Sequence, residues 1–468
     1  MLFNSLIFTI FLPLAFTGYW LTPAKYRNYF LLAASYYFYF SYNPWFLLLL
    51  IGTSAFDFWC AKQIQNQEAP QTKKIYLLLS LVSNIGVLFI FKYFVFCYNS
   101  AISGFHLPYS VLNHLIIPAG LSFYTFQSLS YTIDVYRGKY KPNDTLCDFL
   151  LFVSFFPHMV AGPIVRYQSL MPQLKTRSYF KTIDWEGFVR LTVWGYFKKL
   201  VIADNLNRIV TPMFNDVTHF SGIELFIAGL LFVIQVYCDF SGYSDIATGI
   251  AKLFNINLSL NWRRPLFSRS LHEFWQRNHI SITTWFRDYL YIGLGGNRVS
   301  YNRWLFNIFL VFVISGFWHG ASFTFIVWGT MHGVMYIIEI LLKKTFSKVK
   351  VPKVLGWLYL MLFHTVTLIA FRANSFTDLR YIYKKMFSFT GDYFSLHSLF
   401  TLEDKFYYCL MIFLVAILFL KEYNEEYAFV NRRPFIYQAL KPLAYVLFII
   451  IIFVLGNFSA NTFIYFQF

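Results

Sequence analysis

Charge is scarce in this sequence. Only 13% of its 468 residues are Asp, Glu, Lys or Arg, about half of what a soluble domain uses to cover its surface. One large water-soluble core is thereby excluded. Cysteine is scarce too: Cys60, Cys97, Cys147, Cys238 and Cys409 are scattered and odd in number, with no CxxC pair, so neither a disulfide framework nor a metal cluster is indicated. The histidines lack HxxxH and HExxH spacing, which argues against metal binding by His319 and His332. No internal repeat is visible, so an inverted-repeat transporter has little support. Residues 1–20 lack a basic start and a small-residue cleavage site, and read as a retained first span instead of a signal peptide.

What the chain does have is apolar surface. Hydrophobic residues make up 57% and aromatics 22%, and the mean hydropathy is +0.50. Apolar runs recur from end to end, as at 304–317, 407–420 and 443–455. With tilt and interfacial aromatics, several reach the ~20 residues that a spanning helix needs. The net charge of +17 sits mostly in short loops between these runs. This is the positive-inside pattern of a polytopic membrane protein, with acidic lipid head groups as its counterpart and no nucleic acid implied.

Basic loops at 25–27, 62–74 and 137–141 are assigned to the cytoplasm, and the Tyr42-Asn43-Pro44-Trp45 turn to the far side. Residues 149–165 are apolar, yet both flanks are basic. The interior Phe155-Phe156-Pro157-His158 to Gly162-Pro163 contains two prolines and a glycine, so a re-entrant segment is expected there. Spans are expected at 188–203, 225–240, 304–318, 323–342, 354–372, 406–421 and 438–456, with the C-terminus outside. Residues 241–303 carry eight Lys or Arg and three carboxylates, and read as interfacial, re-entrant structure on the cytoplasmic side. The basic stretch 372–385 falls outside against the charge rule.

Three constellations carry possible chemistry. His319 lies in Ser315-Gly316-Phe317-Trp318-His319-Gly320 at a joint between spans, and flanking glycines suit close approach of a ligand. His332 lies thirteen residues on, inside the next span. A neutral intramembrane imidazole can take a proton from a hydroxyl or thiol; the alternative is a histidine hydrogen-bonded within the bundle. His114, His158 and His364 are isolated and read as structural. The second constellation holds Asp239, Ser241 and Asp245, at what reads as a span end, where they line a polar cavity or merely cap a helix. The third places Arg263 and Arg264 beside Trp262, and Trp275, Arg277 and His279 close together. Arginine beside tryptophan suits a phosphate-bearing ligand with a stackable base, or equally an interfacial tryptophan belt with snorkelling arginines.

These residues, in this order, resemble the membrane-bound O-acyltransferase (MBOAT) family, and within it the bacterial branch that O-acetylates alginate. The resemblance runs through 120–127, Asp134-Val135-Tyr136-Arg137-Gly138, 155–163, 237–245, 273–281, Arg287-Asp288-Tyr289-Leu290, Gly295-Gly296-Asn297-Arg298, Trp318-His319-Gly320 and the tail 463–468. It implies one all-α membrane domain over 1–468, with N-terminal spans (1–110), a catalytic core (111–345) and C-terminal spans (346–468). About 10 to 12 transmembrane helices and re-entrant segments would form a ring around a funnel and tunnel. It further implies catalysis by His319 assisted by His332, a tunnel lined by Asp239, Ser241, Asp245 and Trp318, and a donor site at Arg264, Trp275, Arg277 and His279.

On that resemblance the donor is acetyl-CoA as a substrate, with no permanently bound cofactor and no metal. The acceptor is an extracytoplasmic polysaccharide, alginate-like or peptidoglycan, reached through a periplasmic or extracellular acetyltransferase partner. The location is a bacterial inner membrane, crossed many times. The rival readings are D-alanyl transfer to teichoic acid, a polyprenyl-sugar transporter without enzymatic activity, and a scaffold that anchors a partner transferase.

Overall fold

The computed structural model describes residues 1–101, 117–346, 349, 351–389, 391, 393–427 and 434–458; for residues 95, 99–101 and 434–440 only the backbone is described. The tail motif 463–468 lies outside the described residues, as do His114 and part of the loop around Lys348. Among the described residues the regular structure is entirely helical. Six helices are long and apolar enough to cross a membrane, and two shorter ones are also apolar. The chain forms two compact units, one of residues 1–192 with 243–260 and the other of 193–242 with 261–468.

In the first unit, α1 (Leu6–Leu21) opens at Ser5, whose hydroxyl accepts the Phe8 N–H at 3.2 Å. α2 (Arg27–Phe40) is followed by the expected tight turn. Asn43 accepts the Trp45 N–H at 2.9 Å, and Pro44 opens α3 (Pro44–Asn66), where its missing N–H costs nothing. α4 (Pro70–Leu88) runs through a π-helical turn, Phe89–Tyr93, into α5 (Phe94–Ala101). α6 (Leu121–Tyr136) starts after Gly120, at φ +74, where a Cβ would stand 2.7 Å from the Met159 carbonyl oxygen. No side chain fits there. The buried carboxylate of Asp57 on α3 joins three helices. It accepts hydrogen bonds from Ser80 at 2.6 Å and Asn84 at 2.8 Å on α4, and from Ser128 on α6.

The segment expected to break does break. α7 (Leu146–Ser154) ends at Phe155, the four-residue α8 (Phe156–Met159) follows, and the backbone is irregular up to α9 (Tyr167–Lys175). Its freed polar groups are satisfied inside the protein, as broken backbone at membrane depth requires. Ser35 accepts the Phe156 N–H at 3.1 Å, and Gln127 donates to the Phe152 carbonyl at 2.5 Å.

α10 (Trp185–Tyr196) leads into the second unit. It passes through a π-helical stretch, Phe197–Ala203, into α11 (Asp204–Asn215), so the span expected at 188–203 is the middle of a longer helical run. α12 (Gly222–Lys252), of which 222–242 lie in this unit, continues well past Phe240. Asp239 and Asp245 are therefore mid-helix residues, and the expectation of a span end is corrected. The region 261–300 is built of short pieces as expected, α13 (Leu271–Arg277) and α14 (Ile280–Trp285) with a π-helical turn, Phe286–Tyr291. α15 (Tyr301–His319), α16 (Phe323–Thr345) and α17 (Lys353–Arg372) follow. The basic stretch after Arg372 is a helix, α18 (Phe376–Ser388), capped by Ser375. α19 (Leu399–Leu402), α20 (Lys405–Tyr427) and α21 (Pro434–Leu455) complete the unit.

α15 and α16 pack at backbone contact. A Cβ on Gly316 would lie 2.4 Å from the Phe325 carbonyl oxygen and 3.1 Å from the Gly329 Cα; one on Gly329 would lie 2.4 Å from the Phe312 carbonyl oxygen. The glycines around His319 thus serve helix packing, which corrects the expectation of a ligand approach. Small residues four apart on α16, Gly329 and Gly333, give the close seam common in membrane helix pairs.

Replacing Gly329 by Ala should destabilise the purified protein in detergent by about 1–3 kcal/mol, because neither backbone can yield. Gly52→Ala, in α3 with nothing within 4 Å of its new Cβ, should be neutral or stabilising by up to about 1 kcal/mol. Thermal unfolding of the two variants side by side checks the pair.

Candidate active site

His319 ends α15, and Ser322 caps the next helix by accepting the Thr324 N–H at 3.3 Å, so the imidazole sits at a sharp reversal between two spans. Its ring centroid lies 4.7 Å from Trp318, 5.1 Å from Trp328 and 5.2 Å from Phe371. The Trp328 ring stands in turn 4.6 Å from His332. Trp318, expected in the tunnel wall, is thus the direct neighbour of His319.

His332 is buried in an aromatic cage of Trp275 at 5.4 Å, Phe363 at 5.0 Å and Trp328. His364 joins it from α17, with a ring separation of 5.5 Å. The reading of His364 as isolated is corrected: thirty-two residues of sequence separation vanish where α16 and α17 meet. Its Nδ1 is 2.8 Å from the Leu360 carbonyl, which can only accept. Neutral His364 therefore carries its proton on Nδ1 and presents Nε2 as a bare acceptor.

Five buried nitrogens in this cage have no hydrogen-bond partner: both of His332, Nε2 of His364, and the indole Nε1 of Trp275 and Trp328. Each such atom costs about 1–3 kcal/mol unless something polar meets it. Their chemistry is complementary, with two indole donors, one His364 acceptor, and a donor and an acceptor on neutral His332. Such a set fits a small polar group with both a carbonyl and an exchangeable proton.

The remaining expected site residues fall elsewhere. Trp275, placed by sequence with the arginines, puts its ring against His332. Arg264, at φ +46, donates from Nε to Glu426 at 2.9 Å, and Arg277 reaches the other Glu426 oxygen at 2.8 Å and Glu273 at 2.7 Å. The two guanidiniums share a carboxylate that the sequence, with about 150 intervening residues, gave no means of pairing. The two basic-aromatic stretches also meet through the backbone, the Arg263 N–H donating to the Arg277 carbonyl and the Ile280 N–H to that of Asn261, both at 2.8 Å.

His279 is buried, 5.3 Å from Trp262 and 6.0 Å from Phe240. Burial holds its imidazole down from 6.5 to about 3, so it is neutral at physiological pH and adds no charge to a phosphate site.

Asp239 pairs with Lys199 at 2.6 Å, and the same lysine reaches Asp204 at 2.9 Å. Lys198 donates to Ser241 at 2.9 Å. Tyr237 donates to Glu422 at 2.5 Å. Asp239 and Ser241 are thus tied into a buried ionic seam in the second unit, whereas Asp245 belongs to the first unit. Lys198, Lys199 and Glu422 were missed from sequence, although charges inside otherwise apolar runs are the signal that finds them.

A helical protein with several membrane-crossing segments, and with unpartnered histidine and tryptophan nitrogens buried where its spanning helices meet, is built for transfer chemistry inside a membrane. The chain belongs to the membrane-bound O-acyltransferase family, whose model matches residues 38–381, and it is an O-acyltransferase. It is 39% identical over 397 residues to the probable alginate O-acetylase AlgI of Pseudomonas aeruginosa, covering 83% of this chain and 75% of that protein. It is 34% identical to the peptidoglycan O-acetyltransferase of Helicobacter pylori, covering 84% and 80%. Similarity to the teichoic acid D-alanyltransferase of Bacillus subtilis is lower, 26% over 49% of this chain and 60% of that one.

The His279 environment has a pH signature. Below pH 6.5 the unfolded chain binds a proton that the folded chain takes up only near pH 3. The stability present above pH 6.5 is therefore lost as pH falls through that window, by about 1.4 kcal/mol per pH unit. His279→Asn, which tolerates the left-handed backbone at φ +44, should flatten this dependence between pH 6.5 and 4. Equal slopes in the two proteins would contradict the assignment.

Proposed function

We propose that this protein takes an acetyl group from cytosolic acetyl-CoA and passes it through a bacterial inner membrane to an extracytoplasmic acceptor. The acceptor is a polysaccharide such as alginate or peptidoglycan, reached through a partner acetyltransferase. The observation that carries this reading is the histidine-tryptophan cage with its unpartnered nitrogens. The acetyl group is favoured by the acetyl-transferring names of the relatives that match most of the chain, against a D-alanyl relative that matches about half.

In this mechanism the His319 imidazole takes the proton of the acceptor hydroxyl as its oxygen attacks the thioester carbonyl. The C–S bond then breaks, and the thiol leaves with that proton. His319 acting first as nucleophile, carrying the acetyl group on a ring nitrogen, gives the same balance in two steps. The indole N–H groups of Trp275 and Trp328 meet the carbonyl oxygen as it gains charge. His332, positioned by the Nε2 acceptor of His364, keeps the acceptor's proton aligned. Arg264 and Arg277 are assigned to the coenzyme phosphates, which must displace Glu426 to bind them. The ring, funnel and tunnel of the family supply the route, since only the small acyl group has to cross.

The direct test is release of coenzyme A from radiolabelled acetyl-CoA by the purified protein in liposomes. Wild type should cleave the thioester, and His319→Ala should insert normally and lose cleavage; equal activity in both would move catalysis to another residue. No cleavage in either would favour the transporter reading.

His364→Leu, which keeps the volume and removes the acceptor, should lower kcat by about 10- to 100-fold and shift the acidic limb of the pH profile. An unchanged profile would return His364 to a purely structural role.

A further inference from the structure

An open groove of about 580 Å³ lies in the first unit, where α1 ends. Its wall is apolar and aromatic, with Phe16, Trp20, Leu21 and Phe180, and its polar rim carries Arg27 and Arg177. The two arginines come from the turn after α1 and the loop after α9, both assigned to the cytoplasmic side by their charge.

Arg27 is held in place by neutral groups. Its Nη1 donates to the Ser178 carbonyl at 2.7 Å and its Nε to the Thr22 carbonyl at 3.2 Å. Its guanidinium carbon lies 4.7 Å from the Trp20 ring and 5.2 Å from that of Tyr19. Arg177 is exposed and lies 5.4 Å from the Tyr179 ring. Among the described residues neither forms an ion pair, and the nearby Asp184 is taken by Lys252 at 2.6 Å. Two fixed positive charges thus border an apolar wall with no carboxylate to neutralise them. The outward face of α1 above the groove is greasy, with Ile10, Leu14 and Leu21 60–79% exposed, so the wall continues onto surface that suits acyl chains.

We propose that this groove is a binding site for an anionic glycerophospholipid of the cytoplasmic leaflet. Arg27 and Arg177 hold the head-group phosphate, and Phe16, Trp20 and Leu21 hold the start of the acyl chains. The occupant is a lipid and not a soluble phosphate because half the groove is apolar and continuous with an exposed spanning helix. The site lies apart from the residues assigned to acyl transfer and does not depend on that reading.

The test is native mass spectrometry of the purified full chain in detergent, titrated with phosphatidylglycerol and with phosphatidylcholine of the same acyl chains. Wild type should prefer phosphatidylglycerol. The R27Q/R177Q double variant should bind it about thirtyfold more weakly, and R27K/R177K, which keeps both charges, should stay within a few-fold of wild type. R177Q alone removes a side chain with no hydrogen bond of its own, and should cost about fivefold even if changes at Arg27 disturb folding. Equal binding of the two lipids, or phosphatidylglycerol binding indifferent to R177Q, would overturn the site. Displacement of the lipid by millimolar inorganic phosphate would overturn the lipid assignment.

Discussion

A polar atom inside a bilayer has no water to turn to, so each one must find its partner within the protein or go without at a cost. That constraint organises most of what is described here. Asp57 is tolerated in a spanning helix because Ser80, Asn84 and Ser128 cover its oxygens. Lys199 is tolerated because Asp204 and Asp239 flank it. Removing one member of such a set leaves a buried charge uncompensated, whereas the intact set costs little more than an apolar filling would. The cage around His332 departs from this rule, and a protein that satisfies its interior so thoroughly elsewhere gives that departure its meaning.

The same economy governs the backbone. The chain breaks helix at Phe155 only where Ser35 and Gln127 stand ready for the freed groups. It brings α15 and α16 to backbone contact through glycine, which fixes the distance from His319 to Trp328 and so to His332. The catalytic candidates are held by two rigid spans and a short capped reversal, and none of them rides on a long loop.

Much of this was legible in sequence, for identifiable reasons. Apolar runs and basic loops gave the spans, and Pro157, Gly162 and Pro163 gave the break, because those signals are local. The resemblance named His319 and the family. What sequence could not supply were contacts across the bundle. His364 meets His332 through the packing of α16 on α17, and Glu426 meets Arg264 and Arg277 from a helix far along the chain. Neither partner leaves a trace in the spacing around the other. The span end assumed at Phe240 failed for a different cause: a polar cluster was read as an interface, when buried lysines on the neighbouring helix were waiting to receive it.

The π-helical stretch Phe197–Ala203 has a further consequence. A π turn holds one residue more than an α turn, and here that extra residue sets the facing of everything beyond it. Deleting a single residue from this stretch would restore ordinary helix and rotate α11 by about 100° relative to α10, carrying Asp204 away from Lys199. Over evolutionary time the region can exchange side chains far more freely than it can change its length by one.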